Sequence, residues 1–150
     1  MANSYYSVYE HIVFSTKHRE HWLNPEISPQ LHQYLGGSVN QQECQSLIVG
    51  GTSNHIHLLL RKKSTIASAD LVKEIKRSSA AWLSSQGIAH GKFHWQDGFG
   101  AFSISYWDLE KIRSYILNQE RHHQRMSWET EFRKLLIKHG ETFDARYSLD

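Results

Sequence analysis

The sequence predicts an α+β domain of the ferredoxin-like, split βαβ type, with an antiparallel sheet, helices on one face of it, and further C-terminal helices. Two observations predict it. Segments rich in β-branched and aromatic residues alternate with segments of helical apolar spacing, in the order β-α-β-β-α-β. The 150 residues contain no repeat, low-complexity tract or linker. We therefore expect one domain over residues 1–150.

Four segments have the composition of strands. Residues 5–16 are dense in aromatic and β-branched types, and the turn-forming residues 50–54 join two later apolar runs into a hairpin. A short run after two glycines supplies the last strand. The predicted strands are residues 5–16, 44–49, 55–61 and 101–104.

Four segments have apolar residues at helical spacing. The third opens with the capping-box spacing of Ser105 and Asp108, and its buried stripe would be Leu109, Ile112 and Ile116. The fourth ends at Gly140, as a helix C-terminus commonly does. The predicted helices are residues 28–42, 66–85, 105–124 and 128–139.

Composition excludes several classes of protein. Two prolines and 39% hydrophobic residues argue against wholesale disorder. The single cysteine, Cys44, excludes an internal disulfide framework and fits a reducing cytosol. The chain has neither a signal-peptide pattern nor an apolar run long enough for a membrane span, so we expect a cytoplasmic protein.

The charge is unevenly distributed along the chain. Residues 61–125 contain eleven Lys and Arg but six acids, although the whole chain has a net charge of only +2. This asymmetry favours a face that binds an anion, and a mixed solvated surface explains it equally well.

His55 and His57 lie in an apolar strand segment and point to the same face, about 6.6 Å apart along the strand. Buried imidazoles need hydrogen-bond partners or a ligand, so a divalent metal and satisfaction by polar neighbours are about equally favoured. A zinc hydrolase is less favoured, because three leucines follow where an acid and another histidine would be expected.

Tyr115 and Gln119 are four residues apart on one helix face, beside the apolar stripe. A tyrosine in that position is most often part of the core. The functional hypothesis is that Tyr115 is a nucleophile and that Gln119 supplies a carbonyl oxygen to a metal held by His55 and His57.

These residues carry a resemblance to a known family. His55-Ile56-His57 resembles the histidine–hydrophobic–histidine (HUH) motif, and residues 115–123 resemble the nucleophile helix of single-tyrosine insertion-sequence transposases. Three further segments are similar to that family: residues 11–17, residues 95–103 and the tail from Lys138 to Tyr147.

The resemblance implies cleavage and rejoining of single-stranded DNA through a 5′-phosphotyrosine. Tyr115 would be the nucleophile, and His55, His57 and Gln119 would hold a divalent metal, Mg²⁺ or Mn²⁺. The implied partners are DNA hairpins at the element ends and a second copy of the chain, forming a homodimer, in a prokaryotic cytoplasm. No nucleotide cofactor is needed, since the phosphotyrosine keeps the energy of the phosphoester. One departure is Asn54, where the family often has aspartate.

Two sets of residues are candidates for DNA contact. Trp95, Phe99 and Phe102 could stack an unpaired base, although core packing is the commoner use of at least two of them. The predicted phosphate contacts are basic residues of the second helix and the end of the third strand: Arg61, Lys62, Lys63, Lys73, Lys76 and Arg77.

Two other functions compete with a transposase. A host-domesticated relative would bind and nick repeat hairpins by the same chemistry. A non-catalytic nucleic-acid-binding module of the RNA-recognition type would present aromatic side chains on the open face of its sheet, where this sequence offers histidines.

Overall fold

The sheet has four antiparallel strands in the spatial order β2-β3-β1-β4. The computed structural model describes residues 4–142. The strands are β1 (Tyr9–Ser15), β2 (Gln45–Gly51), β3 (His55–Arg61) and β4 (Gly100–Ile104). Strand β1 pairs with both β3 and β4, which is the ferredoxin-like order, and the predicted fold class is confirmed.

Within residues 4–142, five α-helices accompany the sheet, and three of them follow β4 along the chain. They are α1 (Ser28–Gln41), α2 (Ser68–Ser85), α3 (Leu109–Leu117), α4 (Gln119–His123) and α5 (Trp128–Lys138). No helix within residues 4–142 is long and apolar enough to cross a membrane. The part of the family resemblance from residue 143 to Tyr147 lies outside the described residues.

One face of the sheet forms the main core with α1 and α2. Ile56, Leu58 and Leu60 of β3 alternate onto this face and are almost completely buried, as the strand pattern predicts. They pack with apolar residues of both helices, including Leu31 and Leu71. The alternation leaves the odd-numbered residues of β3 on the opposite face.

The opposite face carries the histidines, and the C-terminal helices cover it. Val13 and Phe102 of the sheet form a second apolar cluster with Trp128, Phe132 and Leu135 of α5. Helix α3 also packs on β2 and β3. The physical reason is that amphipathic C-terminal helices must bury their apolar stripes, and the second sheet face is the surface available to them.

Two glycines allow the C-terminal helices to approach this face closely. A Cβ atom at Gly50 of β2 would lie 2.7 Å from Cγ2 and 2.9 Å from the carbonyl oxygen of Ile116 in α3. A Cβ atom at Gly100 of β4 would lie 2.8 Å from the ring of Phe132 in α5. Both contacts are shorter than real Cβ contacts, so these glycines determine how α3 and α5 lie on the histidine face.

The prediction of a single helix over residues 105–124 is wrong, because the helix is interrupted at Asn118. Asn118 has φ −98° and ψ 19°, and its side-chain Nδ2 donates to the carbonyl of Ser114 at 2.9 Å. An asparagine side chain competes in this way for carbonyls at a helix end. The predicted capping box is also wrong, since Ser105 makes no side-chain capping bond within the described chain and a 3₁₀ turn, Tyr106–Asp108, precedes α3.

The other boundaries differ by a few residues. Strand β1 begins at Tyr9 rather than at residue 5, and Gly50 and Gly51 belong to β2 rather than to the turn. Helix α5 ends at Lys138, and Gly140 has φ +80°, as expected of a glycine that follows a helix.

Candidate active site

The two histidines of β3 are fully buried and face the C-terminal helices. His55 and His57 have no exposed surface, and their ring centroids are 5.2 Å apart. Trp128 of α5 stacks on His55 with ring centroids 4.6 Å apart. The strand alternation that the sequence predicts therefore brings both imidazoles into one enclosed site.

Gln119 and Tyr115 reach the same site from α4 and α3. The Oε1 atom of Gln119 lies 2.9 Å from Nε2 of His55, and Gln119 is 1% exposed. Tyr115 is half-buried, and its ring centroid lies 5.7 Å from that of His57. All four residues that the sequence singled out thus lie together within one chain.

A carboxylate that the sequence analysis did not single out lies at the centre of this cluster. Glu131 of α5 is 2% exposed. Its Oε1 lies 3.2 Å from Nε2 of His57 and 3.5 Å from Nε2 of His55. Its Oε2 accepts hydrogen bonds from Nε2 of Gln119, at 2.9 Å, and from the Tyr115 hydroxyl. Glu131 therefore connects the histidine pair with the tyrosine.

The hydrogen-bond network assigns the proton of His55 to Nδ1. Asn54 donates from Nδ2 to the carbonyl of Arg19 at 3.3 Å, so its Oδ1 accepts from Nδ1 of His55 at 2.8 Å. This is the orienting role expected of the residue before the HUH motif, here without a charge. The Nε2 lone pair of His55 then points at Oε1 of Gln119, whose amide nitrogen is held by Glu131. With this tautomer, two acceptor atoms 2.9 Å apart face each other, an arrangement that a bound cation would satisfy.

The spacing of the donor atoms fits a divalent metal. One ligand atom each from His55, His57 and Glu131 lie within 4.8 Å of one another. Bonds of about 2.1 Å place neighbouring ligands about 3.0 Å apart in an octahedral site and about 3.4 Å apart in a tetrahedral one. The three separations quoted above, from 2.9 Å to 3.5 Å, span that range. The cluster is therefore a candidate site for a shared ion.

Burial sets the charge states of the site. Burial, and next the charge of His57, lower the pKa of His55 to about 3. His55 is therefore neutral at physiological pH, as a metal ligand must be. Burial alone would raise the pKa of Glu131, but hydrogen bonds from His123 and His57 outweigh it and hold that pKa well below its usual range. The site thus combines a neutral imidazole with an ionised carboxylate.

Tyr115 keeps its proton in this arrangement. Burial is the first cause, followed by the negative charge of Glu131, and together they raise the pKa of the Tyr115 phenol above its ordinary value. The hydroxyl donates to the Glu131 carboxylate. Attack by the Tyr115 oxygen therefore requires loss of the proton during the reaction, with an acceptor already in contact.

Three more histidines surround the cluster. His11 of β1 lies with Nε2 2.7 Å from Nδ1 of His57, and burial, followed by the charge of His57, holds the His11 pKa well below its usual range. His123 and His122 of the α4 segment place Nε2 2.9 Å and 3.4 Å from the Glu131 carboxylate. None of these three histidines is predicted from the sequence to take part in the site.

One sequence signal could have found Glu131. The apolar stripe of α5 runs through Trp128, Phe132 and Leu135, and Glu131 falls among them at helical spacing. An acid on a buried helix face is uncommon unless it has partners. No comparable signal marks His11, because the register that pairs β1 with β3 is not readable from either strand alone.

The basic residues predicted to contact phosphates differ in their exposure and in their partners within the protein. Arg61, Lys73 and Arg77 are exposed, and Arg77 donates to Glu74. Lys63 forms an ion pair with Glu43.

Two of the lysines predicted to contact phosphates donate hydrogen bonds to backbone carbonyls of the protein itself. Lys62 is 8% exposed and donates to the carbonyl of Ile66, and Lys76 donates to the carbonyls of Gln96 and Gly98 at 2.8 Å and 2.6 Å. Burial lowers the pKa of Lys76 to about 8. Helix α2 also lies on the face of the sheet away from Tyr115.

The predicted stacking aromatics are mostly core residues. Trp95 is 6% exposed, donates from Nε1 to Ser79 at 2.9 Å, and packs edge-on against Phe14. Phe102 is 5% exposed within the second apolar cluster. Only Phe99 of the three is partly exposed, so core packing accounts for the other two.

Comparisons with known proteins agree with this fold. Among solved structures, a candidate transposase from Deinococcus radiodurans R1 aligns with TM-score 0.64 and 24% identity, over 79% of this chain and 95% of that one. A REP-associated tyrosine transposase bound to a REP hairpin aligns with TM-score 0.60 and 15% identity, over 82% of this chain and 73% of that one. At these identities the likeness shows the fold alone.

The family itself is shown by the sequence profile. A comparison with curated proteins finds no match. Residues 4–119 match the family described as "Transposase IS200 like". The matched range contains His55, His57, Tyr115 and Gln119 and covers most of the chain. Together with the sheet order and the clustered site, this match means that the chain belongs to the IS200-like transposase family.

Proposed function

We propose that this protein is a transposase that cleaves and rejoins single-stranded DNA at insertion-sequence ends through a 5′-phosphotyrosine intermediate. One observation carries the proposal: the Tyr115 hydroxyl and the His57 imidazole contact the same buried carboxylate, Glu131. A tyrosine that served only the core would have no reason to meet two strand histidines and an acid. The arrangement unites a nucleophile with ligands for a metal.

The proposed reaction uses the Tyr115 oxygen as the nucleophile. It attacks the phosphorus of a phosphodiester, a bond forms between the tyrosine oxygen and phosphorus, and the bond to the 3′ oxygen breaks. The phenol proton passes to the Glu131 carboxylate, which returns it to water, and the released 3′ oxygen takes up a proton from water to become the 3′-OH. Attack by another 3′-OH reverses these steps and frees Tyr115, so the joined strand forms without a nucleotide cofactor.

We propose that His55, His57 and Gln119 hold a divalent metal, Mg²⁺ or Mn²⁺, with Glu131 as a fourth ligand. This is supported by the donor separations and by the facing lone pairs of His55 and Gln119. When bound, such an ion polarises a phosphate oxygen and stabilises charge on the leaving group. The mixture of imidazole, amide oxygen and carboxylate suits Mn²⁺ well. Asn54 and His11 hold the two histidines by their Nδ1 atoms.

We further propose that the DNA partner has hairpins at the element ends and that two copies of the chain form a homodimer. Both follow from the family resemblance, and the exposed cations Arg61, Lys73 and Arg77 support hairpin contact. Strand β4 is an edge strand of the described sheet, so it offers a pairing edge to a second copy. A gel-filtration mass of one chain would contradict the dimer.

An RNA-recognition-type module is not favoured. Such a module displays aromatic side chains on an open sheet face. Here α3 and α5 lie on the face that would be used, and its β3 residues are histidines. The active-site cluster would also have no role in such a module.

The decisive experiment is incubation with labelled single-stranded oligonucleotides taken from the flanking DNA, in the presence of Mg²⁺ or Mn²⁺. We expect a covalent protein–DNA adduct that disappears with Tyr115→Phe and with a chelator. The matched control is Tyr106→Phe, which changes an exposed tyrosine outside the cluster and should leave the adduct intact. An adduct undiminished in Tyr115→Phe would overturn the assignment of the nucleophile.

The ligand assignment has its own test. His57→Ala should abolish cleavage while sparing much of the hairpin binding, because His57 is buried and contacts the catalytic cluster rather than the surface. If binding and cleavage are lost together, His57 has a structural role instead.

A further inference from the structure

Two cavities adjoin one another at the active site. One, of about 150 Å³, is lined by Tyr115 and Glu131 and by three residues of α5, Lys134, Leu135 and Lys138. The other, of about 500 Å³, is lined by Asn118, Arg121 and Arg125. His122 and Met126 line both cavities. The two cavities are therefore neighbours, and together we call them the α4–α5 groove; Tyr115 lines the smaller one.

Helix α5 directs two lysines into this groove. Glu131, Lys134 and Lys138 follow at spacings of three and four residues, which places them on one side of the helix. Glu131 is buried against Tyr115, whereas Lys134 and Lys138 are exposed. The same helix face thus continues from the catalytic cluster to two ammonium groups in solvent.

The charge of the groove is strongly one-sided. Its lining contains four cationic side chains: Arg121, Arg125, Lys134 and Lys138. Among the described residues that line it, Glu131 is the single acid. Glu131 is buried, however, and its oxygens contact His57, His123, Gln119 and Tyr115. The solvent-facing part of the groove is therefore cationic, which favours an anionic chain as ligand.

We infer that the strand to be cleaved lies in the α4–α5 groove. Lys134 and Lys138 bind backbone phosphates in the smaller cavity beside Tyr115, and Arg121 and Arg125 bind them in the larger one. This rests on the proposed function and adds to it the path of the substrate. It also separates the cleaved strand from α2, which lies on the opposite face of the sheet.

The test measures binding without cleavage, in protein that carries Tyr115→Phe. The affinity for a fluorescent single-stranded oligonucleotide is measured by anisotropy over a series of salt concentrations. Each lost phosphate contact lowers the log–log salt slope by about 0.7 for single strands. Replacing both Lys134 and Lys138 with Gln should therefore lower the slope by about 1.4. At about 0.1 M salt the same relation predicts about 25-fold weaker binding.

Matched variants locate the effect. Lys92→Gln removes an exposed charge far from the groove and should leave both affinity and slope unchanged. Arg121→Gln with Arg125→Gln should reproduce the loss from the larger cavity. Lys73→Gln probes the surface of α2. Circular dichroism shows whether each variant is folded, and Lys134→Arg with Lys138→Arg, which keeps both charges, should bind as tightly as the parent.

The outcomes separate this inference from the proposed function. If the Lys134 and Lys138 variants bind with the parental slope, or if the loss appears only with Lys73→Gln, the groove is not the path of the strand. In that case adduct formation by the otherwise unchanged protein would still support the transposase. If the lysine variants lose binding but the unchanged protein forms no adduct, the groove holds DNA and the proposed reaction is wrong.

Discussion

Changing Glu131 to Gln tests the feature on which the site depends. The substitution keeps the size of the side chain and removes a charge that is 2% exposed. It leaves the amide near Nε2 of His57, which lies 3.2 Å from Oε1 in the parent, and near the Tyr115 hydroxyl. If Glu131 shares a metal with His55 and His57, the affinity for that metal must fall.

The magnitude follows from Coulomb's law. Two unit charges about 4 Å apart interact by about 4 kcal/mol at an effective dielectric constant of about 20, and a divalent ion doubles this upper bound. Desolvation offsets much of it, and changes next to metal ligands typically weaken affinity by about 10- to 100-fold. That range corresponds to about 1.4–2.8 kcal/mol. Because Glu131 is proposed as a ligand itself, we expect Glu131→Gln to weaken the Mn²⁺ affinity by at least the lower end of this range.

The assay is titration of the purified protein with Mn²⁺ by calorimetry, with the adduct assay alongside. Glu129→Gln is the matched control, because Glu129 lies in the first turn of the same helix and pairs with Arg19 on the surface. Adduct formation by Glu131→Gln should be slow and should recover in part as Mn²⁺ is raised. If this variant fails to fold, Glu131→Asp, which keeps the charge on a shorter side chain, takes its place. Unchanged Mn²⁺ affinity in a folded variant would refute the reasoning.

Three further predictions concern the packing of α3 on the sheet, the hydrogen bond between His55 and Asn54, and the pH dependence of stability. Gly50→Ala forces α3 away from the sheet at Ile116, so the free energy of unfolding should fall by about 1–3 kcal/mol and adduct formation should become about 100-fold slower. The control is Gly37→Ala, whose added Cβ has no atom within 4 Å. It lies in the interior of α1, so it should leave adduct formation unchanged and raise the free energy of unfolding by about 0.5–1 kcal/mol. Asn54→Asp places a carboxylate on Nδ1 of His55 and should raise Mn²⁺ affinity by up to about tenfold; weaker binding in the calorimeter would contradict it. Because the folded pKa of His55, about 3, lies below its ordinary value of 6.5, the unfolded chain binds more protons between these values. The free energy of unfolding, measured in urea, should therefore be highest above about pH 6.5 and fall below it, with His55 alone contributing up to about 1.4 kcal/mol per pH unit. His11, whose pKa is also lowered, adds to the fall, and a flat profile down to about pH 4 would exclude a buried neutral His55.

Local patterns were sufficient to predict the sheet and its histidines. The bounds of β3, His55–Arg61, coincide with the predicted segment. Turn-forming residues precede the strand, and its apolar run ends in basic residues. The alternation of side chains then places His55 and His57 on one face whatever the rest of the fold does. The spacing of Tyr115 and Gln119 likewise survives the break at Asn118, since both side chains reach Glu131.

Features that depend on contacts between distant segments were not predicted. Glu131 is 74 residues from His57 along the chain, and only the docking of α5 on the second sheet face brings them together. That docking also covers the sheet face on which strand alternation places the histidines. Lys62 reads as a surface cation, yet the fold supplies it with the carbonyl of Ile66 and buries it. Sequence periodicity predicts the face of a strand or helix on which a residue lies. Which segment packs on that face is determined by the tertiary structure.

The central claim is that Tyr115 itself becomes linked to DNA. The most direct measurement is mass spectrometry of the protease-digested adduct, after nuclease trimming of the attached strand. We predict that the peptide spanning Tyr115 carries the mass of a 5′-phosphorylated nucleotide, with fragment ions that locate the phosphate on the tyrosine oxygen. Modification of another residue, or an adduct that leaves the Tyr115 peptide unmodified, would contradict the mechanism.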